Sequence, residues 1–265
     1  MIRVLVNGAD GRMGSQVVKA VVADNELELV GGVSISHIGE DLGEIAGIGA
    51  LGLAVRAGLG TAVDELKPDV VVDFTTPQAV YGNVKTCIAH GVDIVVGTTG
   101  LTEKQREELG EEAKRGDTSL FIAPNFSIGA VLLMKVSADI AAYFPDAEII
   151  ELHHNNKLDA PSGTAVMTAD KIAAARRKAG AVPAPDRTRE SLEGARGASV
   201  QAVPVHSVRL PGYVAHQEVL FGGYGEILTV RHDSLDRKSF MPGVILAVKK
   251  VSSRKGLTFG LENYL

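Results

Sequence analysis

The chain has 265 residues, 45% hydrophobic and 22% charged, with 30 glycines and a formal net charge of −5. It is long enough for one large domain or two modest ones with a sizeable core, and its slight negative charge offers no general attraction to nucleic acid or an anionic membrane surface. The lone Cys87 excludes an internal disulfide and a multi-cysteine metal site, no apolar run reaches the ~18 residues of a membrane span, and the N-terminus reads as a strand rather than a secretory leader, so a cytoplasmic protein is expected.

Ile2 to Val6 is an apolar, β-branched run that ends in Gly8-Ala9-Asp10-Gly11-Arg12-Met13-Gly14. An amphipathic segment to about Val22 and a second strand, Leu27 to Val33, follow. A glycine turn between strand and helix is the context in which such a motif cradles a dinucleotide pyrophosphate: glycines admit close backbone approach, and the helix-start amides face the anion. Taken alone, the G-x-x-G-x-x-G spacing is also compatible with a tight turn that holds no ligand. The second strand runs into Ser34-Ile35-Ser36-His37, with no carboxylate before Glu40. An acidic residue there would hold the adenosine ribose; Ser34 would not repel a 2′-phosphate, and Arg12 would help neutralise it. Use of NADPH at least as readily as NADH is therefore expected, the alternative being a solvated loop.

Gly39 to Gly60 is glycine-rich and reads as loop with one or two short strands. Buried-type strands follow at Asp69 to Phe74, Val92 to Val96 and Ser119 to Ala123. Between them lie helices, one opened by Thr75-Thr76-Pro77 and one by Thr102, with Gln105 in the capping-box position. Alternating strands and helices give a Rossmann-like, doubly wound parallel sheet, whose ligands bind at the carboxyl ends of the strands. Three of those ends carry small polar residues: Thr75-Thr76, Gly97-Thr98-Thr99 and Ala123-Pro124-Asn125-Phe126. In the second half, a helix over Gly129 to Tyr143 and a strand over Ala147 to Leu152 precede a helix from Thr164 to about Lys178. Residues 179–200 read as a long loop. Three strands follow, Val203 to Leu210, Tyr213 to Phe221 and Glu226 to His232, expected as an antiparallel meander, then a helix over Arg237 to Val251.

The densest chemistry lies in Glu151-Leu-His153-His154-Asn-Asn-Lys157-Leu-Asp159-Ala-Pro161-Ser162-Gly163-Thr164. Histidine titrates near neutral pH and suits proton transfer; lysine is a compact cation for a carboxylate. If the segment stays extended, His153 and Lys157 share one face. Pro161 to Thr164 would open a helix whose free amides bind an anion, with Asp159 and Ser162 fixing the loop and cap. No H-E-x-x-H is present, and no metal site is expected. His206, Arg209, His216 and His232, on later strands, read as structural or interfacial.

The glycine turn, Gly97-Thr-Thr-Gly100, Ala123-Pro-Asn-Phe-Ser127 and above all His153-His-x-x-Lys-x-Asp-Ala-Pro-Ser-Gly-Thr164 resemble the 4-hydroxy-tetrahydrodipicolinate reductase family, also called dihydrodipicolinate reductase, over essentially the whole chain. The resemblance implies an NADPH- or NADH-dependent oxidoreductase of the diaminopimelate route to lysine, acting on a cyclic dicarboxylate. It implies a dinucleotide-binding domain from residues 1–126 plus 234–265. Residues 127–233 would form an inserted α+β domain whose mixed sheet binds substrate and assembles a homotetramer. By motif position, His153 would be the catalytic acid/base and Lys157 the second proton donor; His154, Gly163 and Thr164 would bind substrate. Gly8, Ala9, Asp10, Gly11, Arg12, Met13, Gly97, Thr98, Thr99, Ala123, Pro124, Asn125 and Phe126 would hold the cofactor. Ser34 stands where many members carry an acidic ribose ligand. Two other readings stay open on the residues: another two-domain dehydrogenase of an amino or oxo acid, and a non-catalytic nucleotide sensor.

Overall fold

Short runs that are apolar at every position can only be buried on both faces, which favours a parallel sheet with helices on either side. The computed structural model, which describes residues 1–265, shows this arrangement in the first of two units, Met1–Phe126 with Phe240–Leu265. Its strands are β1 (Ile2–Asn7), β2 (Leu27–Val33), β3 (Val70–Asp73), β4 (Asp93–Val96), β5 (Ser119–Ile122) and β11 (Gly256–Phe259), the last contributed by the returning C-terminal segment. They lie all parallel in the order β11-β5-β4-β3-β1-β2. Every residue of β3, β4 and β5 is buried. Leu5, Val71, Ile94 and Leu120 share one cluster with α3 (Leu59–Leu66), α4 (Val80–Ala89) and α5 (Glu103–Arg115). Helix α1 (Gly14–Ala23) packs against α8 (Met241–Lys250).

Two features depart from the sequence reading of this unit. Residues 39–60 are not simply loop: Asp41 caps a one-turn helix, α2 (Leu42–Ala46), accepting from the Gly43 and Glu44 amides, and α3 starts at Leu59. Helix α2 is too short for hydrophobic periodicity to register, whereas α3 carries it: Leu59, Ala62, Val63 and Leu66 fall on one face, against the core. Strand β11 lies outside the sequence reading because only three residues follow its Gly256, too few for alternation to register.

The second unit, Ser127–Ser239, holds α6 (Ile128–Ala141), β6 (Asp146–His153), α7 (Gly163–Ala179), β7 (Ala198–Val200), β8 (Val203–Arg209), β9 (Ala215–Gly223) and β10 (Glu226–Ser234). The sheet order is β10-β9-β6-β8-β7. The expected meander is therefore wrong in one respect: β8 and β9 are not paired. Strand β6 lies between them, parallel to β8 and antiparallel to β9. β6 thus takes the centre of the sheet, with neighbours on both edges. Ala147 and Ile149 on one face of β6 join Val203, Val205, Val219 and Phe221 and the α7 residues Ala165, Ala169 and Ile172 in the core.

Candidate active site

In the first unit the glycine turn connects β1 to α1. Gly8 has φ +79°, and a Cβ there would lie 2.4 Å from the Phe74 carbonyl oxygen; one on Gly14 would lie 1.9 Å from the Gly8 oxygen. Only glycine fits either position. The Gly8 and Ala9 amides donate to Val33 O, while those of Asp10, Arg12 and Met13 have no carbonyl partner. The turn thus offers three free N–H groups at the start of a helix, with the exposed Arg12 beside them, and fits a pyrophosphate. Ala9 is fully buried and serves packing.

The polar strand ends are organised by a residue that sequence reasoning passed over. Asp73, fully buried at the end of β3, accepts from Asn7 Nδ2 (2.8 Å), Asn83 Nδ2 (2.8 Å), Thr75 Oγ1 (2.9 Å) and Thr98 Oγ1 (2.6 Å). Thr98 Oγ1 in turn accepts from the Thr75 amide at 2.7 Å. One carboxylate therefore ties together the ends of β1, β3 and β4, and the Thr98 hydroxyl serves this network. Thr99 and Pro124 are exposed, while Ala123 and Phe126 are buried. Thr98, Thr99, Ala123 and Pro124 line a cavity of about 100 Å³. Phe126 stacks obliquely on Phe74, whose ring occupies the space that a side chain at Gly97 would need. Asn125 is half-buried beside them. Ser34, only 5% exposed, accepts from the Ser36 amide at 3.0 Å, closing a turn after β2.

In the second unit, Ala147, Ile149, Glu151 and His153 follow one another along a single face of β6, because side chains alternate. The row passes from core to chemistry at Glu151, which is completely buried. His153 Nδ1 lies 2.5 Å from Glu151 Oε2. Arg209, opposite His153 on β8, donates to Glu151 through Nη1 (2.8 Å) and Nη2 (2.7 Å), and the Ser162 amide donates to it at 3.2 Å. A carboxylate accepts only, so His153 Nδ1 carries the hydrogen and Nε2 is left as the nitrogen that exchanges protons. Burial raises the Glu151 carboxyl, but hydrogen bonds from His153, Arg209 and Ser207 outweigh it and hold the pKa at about 2.

That value has a consequence for stability. The folded pKa of about 2 lies below the usual 4.5, so ionised Glu151 stabilises the fold at every pH above the latter and loses that contribution as pH falls towards the former. The gap corresponds to ~3 kcal/mol. The urea midpoint of unfolding is expected to fall between those two pH values, and the fall should be shallower in Glu151→Gln; equal slopes would contradict the assignment.

Beyond His153 the strand ends. The Lys157 amide donates to the His154 oxygen in a turn, so the extended-chain alignment of residues 153 and 157 does not hold. Lys157 Nζ instead reaches Asp159 Oδ1 at 2.7 Å, and the Lys157 ammonium holds the Asp159 carboxyl below the usual carboxylate range. His154 Nδ1 is buried with no hydrogen-bond partner. Ser162 caps α7 by accepting from the Ala165 amide, leaving Gly163 exposed and Thr164 half-buried in the first turn. His153, His154, Lys157, Gly163 and Thr164 thus all lie on β6, the α7 start and the nine residues between. Arg209 belongs with them: its spacing from Glu151 carries no sequence signal, and only the β6–β8 register reveals the pair. His216, by contrast, pairs with Asp233 at 2.7 Å, and His232 lies against Gly129 and 3.2 Å from Ser127 Oγ, pinning α6.

Residues 2–126 match the family model described as dihydrodipicolinate reductase, N-terminus, and residues 129–265 that described as dihydrodipicolinate reductase, C-terminus. A protein named 4-hydroxy-tetrahydrodipicolinate reductase in Listeria monocytogenes is 51% identical over 266 residues, covering 100% of both chains. One of the same name in Syntrophomonas wolfei is 48% identical, covering 99% of this chain and 98% of its own. The dipicolinate-bound dihydrodipicolinate reductase of Paenisporosarcina sp. TG-14 superposes with a TM-score of 0.88 at 45% identity, over 100% of both chains. An amine dehydrogenase from Mycobacterium smegmatis, 14% identical with a TM-score of 0.64 over 97% of this chain and 94% of its own, shares the fold. With both family models matched in order and relatives near half identity along its whole length, this chain belongs to the dihydrodipicolinate reductase family.

Proposed function

We propose that the chain reduces 4-hydroxy-tetrahydrodipicolinate, by way of dihydrodipicolinate, to tetrahydrodipicolinate with NADPH or NADH, in the diaminopimelate route to lysine. The observation that carries this reading is His153: a histidine whose Nδ1 is committed to a buried carboxylate, one strand-end away from an unpartnered His154 nitrogen and a helix start. When bound, the reduced nicotinamide supplies the hydride. The chemistry then requires a proton at the same ring, and His153 Nε2 delivers it, a role typically worth roughly 10²- to 10⁴-fold. Lys157 anchors a substrate carboxylate and acts as the second proton donor. His154, Gly163 and Thr164 complete the carboxylate site at the start of α7. The turn from Gly8 to Met13 holds the pyrophosphate, and Gly97, Thr98, Thr99 and Ala123 to Phe126 border the nicotinamide end, Thr98 through its backbone because its hydroxyl is engaged by Asp73.

The test is a coupled assay in which substrate forms in situ from pyruvate and aspartate semialdehyde. Oxidation of NADPH or NADH dependent on both precursors is expected; none with either cofactor refutes the reading. With Ser34 at the ribose position, NADPH is expected to serve at least as well as NADH, and a preference for NADH beyond about tenfold in KM would contradict this. Ser34→Asp should retain the turn, since aspartate also accepts from residue 36, while adding a charge against the 2′-phosphate. The ratio of NADPH to NADH dissociation constants is expected to rise at least about tenfold, as read by titration of nucleotide fluorescence. An unchanged ratio would remove Ser34 from the ribose site.

We assign the enzyme to the cytoplasm as a homotetramer. No helix is long and apolar enough to cross a membrane, and the one cysteine is a free buried thiol. The edge strand β10 presents Ile227 at 77% and Leu228 at 38% exposure, with Tyr224 fully exposed in the preceding turn, an apolar edge that self-association would cover. Sedimentation equilibrium at four times the chain mass is expected; a monomer would refute the assembly.

A further inference from the structure

We propose that Glu151 is the positioning residue of the site, fixing the ring and tautomer of His153 on one side and the loop and helix start that bind substrate on the other. The proposal rests on His153 being the proton donor. Glu151 is a completely buried carboxylate at the last turn of an apolar row, a costly place for a charge unless every lone pair is used. All but one of its partners, the Ser207 hydroxyl, belong to the site. Oε2 accepts from His153 Nδ1 and Arg209 Nη1; Oε1 accepts from Arg209 Nη2 and the Ser162 amide; and the Ser207 hydroxyl, opposite Glu151 on β8, is a further donor whose rotation lets it face either end of the group. Arg209 Nη2 also donates to the Asp159 oxygen at 2.9 Å, so the same ion pair holds the loop that carries Lys157. Glu151 thus bonds His153 from the same strand, and Arg209 bonds Glu151 from β8.

This arrangement predicts what an isosteric amide would do. In Glu151→Gln the new NH2 group must replace one of the two oxygens. At the Oε1 position it would face two donors, Arg209 Nη2 and the Ser162 amide; at Oε2 it would face one, Arg209 Nη1, and His153 Nδ1, which can become an acceptor. The second orientation has fewer conflicts. It makes Nδ1 accept and leaves the only His153 proton on Nε2 of a neutral ring, which would become an imidazolate on giving it up; the imidazolium that can donate from Nε2 and keep Nδ1–H is no longer supported. Inverting a catalytic histidine in this way is costly in other enzymes, where the equivalent acid-to-amide change lowers kcat by about 10⁴-fold.

The test measures kcat and KM in the coupled assay for wild type, Glu151→Gln, His153→Ala and the double variant, with NADPH affinity from calorimetry and His153 tautomer from long-range ¹H–¹⁵N correlation in histidine-labelled protein. Glu151→Gln should lower kcat by at least about 10²-fold with NADPH affinity within about twofold of wild type. In the His153→Ala background the same substitution should cost at least about tenfold less in kcat than it does in wild type, because the part that acts through the ring has been removed, while the lost hold on the loop and helix start shows in KM in both backgrounds. The His153 signal should change from Nδ1–H to Nε2–H. A kcat within about threefold of wild type, full multiplicative loss in the double variant, or an unchanged tautomer would each overturn the proposal. Should Glu151→Gln not fold because Arg209 is left unpaired, Glu151→Gln with Arg209→Met removes both charges and carries the same predictions for His153. An inactive wild type would refute the reductase reading, whereas the tautomer measurement would still decide the role of Glu151.

Discussion

His153→Ala is expected to lower kcat by about 10²-fold or more while leaving the protein folded and its NADPH affinity unchanged, and Lys157→Ala is expected to do the same to kcat. The separation of chemistry from folding follows from who holds whom. Removing the imidazole leaves Glu151 with Arg209 on both oxygens and the Ser162 amide on one, so no buried charge is stranded. What is lost is the imidazole whose Nε2 delivers the proton. Lys157 is 21% exposed in its side chain, with Asp159 as its partner. Without it, Asp159 keeps backbone donors and the loop keeps its tie to Arg209. KM for the dicarboxylate should therefore rise along with the fall in kcat, because an anchoring cation acts in the ground state as well as in the transition state. Wild-type turnover in either variant, with folding verified by circular dichroism, would remove that residue from the reaction.

The elements that sequence patterning found are those whose burial is uniform or whose caps are explicit. The runs of β3, β4 and β5 are apolar at each position because both faces are covered, and Thr102 and Gln105 form the reciprocal capping box that their spacing suggests. What patterning misses is pairing across long separations. Nothing local places β6 between β8 and β9, and without that register Arg209 is one more charged residue on a late strand. Asp73 is hidden for a related reason: at the end of a buried strand it resembles a boundary residue, and its purpose appears only when Asn7, Asn83 and Thr98 converge on it. Conversely, Lys157 shows the limit of a periodicity rule. The period of two applies while the chain is a strand, and β6 stops at His153. The residues that the motif names nevertheless come together in one region, between a strand end and a capped helix start.

Gly14→Val is expected to raise the dissociation constant for NADPH by about 10²-fold or more, although residue 14 itself is buried and presents no side chain to a ligand. A Cβ at this position would lie 1.9 Å from the Gly8 oxygen, 2.8 Å from the Gly8 carbonyl carbon and 3.0 Å from Ala9 Cα. All three are backbone atoms, so no rotamer change relieves the overlap; the turn itself must move. Gly8 has little freedom to do so, because it is confined on its other side by Phe74 and its amide is bound to Val33. Displacing the turn breaks the convergence of the Asp10, Arg12 and Met13 amides, on which anion binding depends. Gly82→Ala provides the contrast. Gly82 lies within α4, has no positive φ, and a Cβ there meets nothing within 4 Å. That substitution should leave NADPH affinity unchanged and stabilise the helix by about 0.5–1 kcal/mol. If Gly14→Val folds and binds NADPH as wild type does, the turn can shift without cost to the ligand, and the pyrophosphate must be held elsewhere.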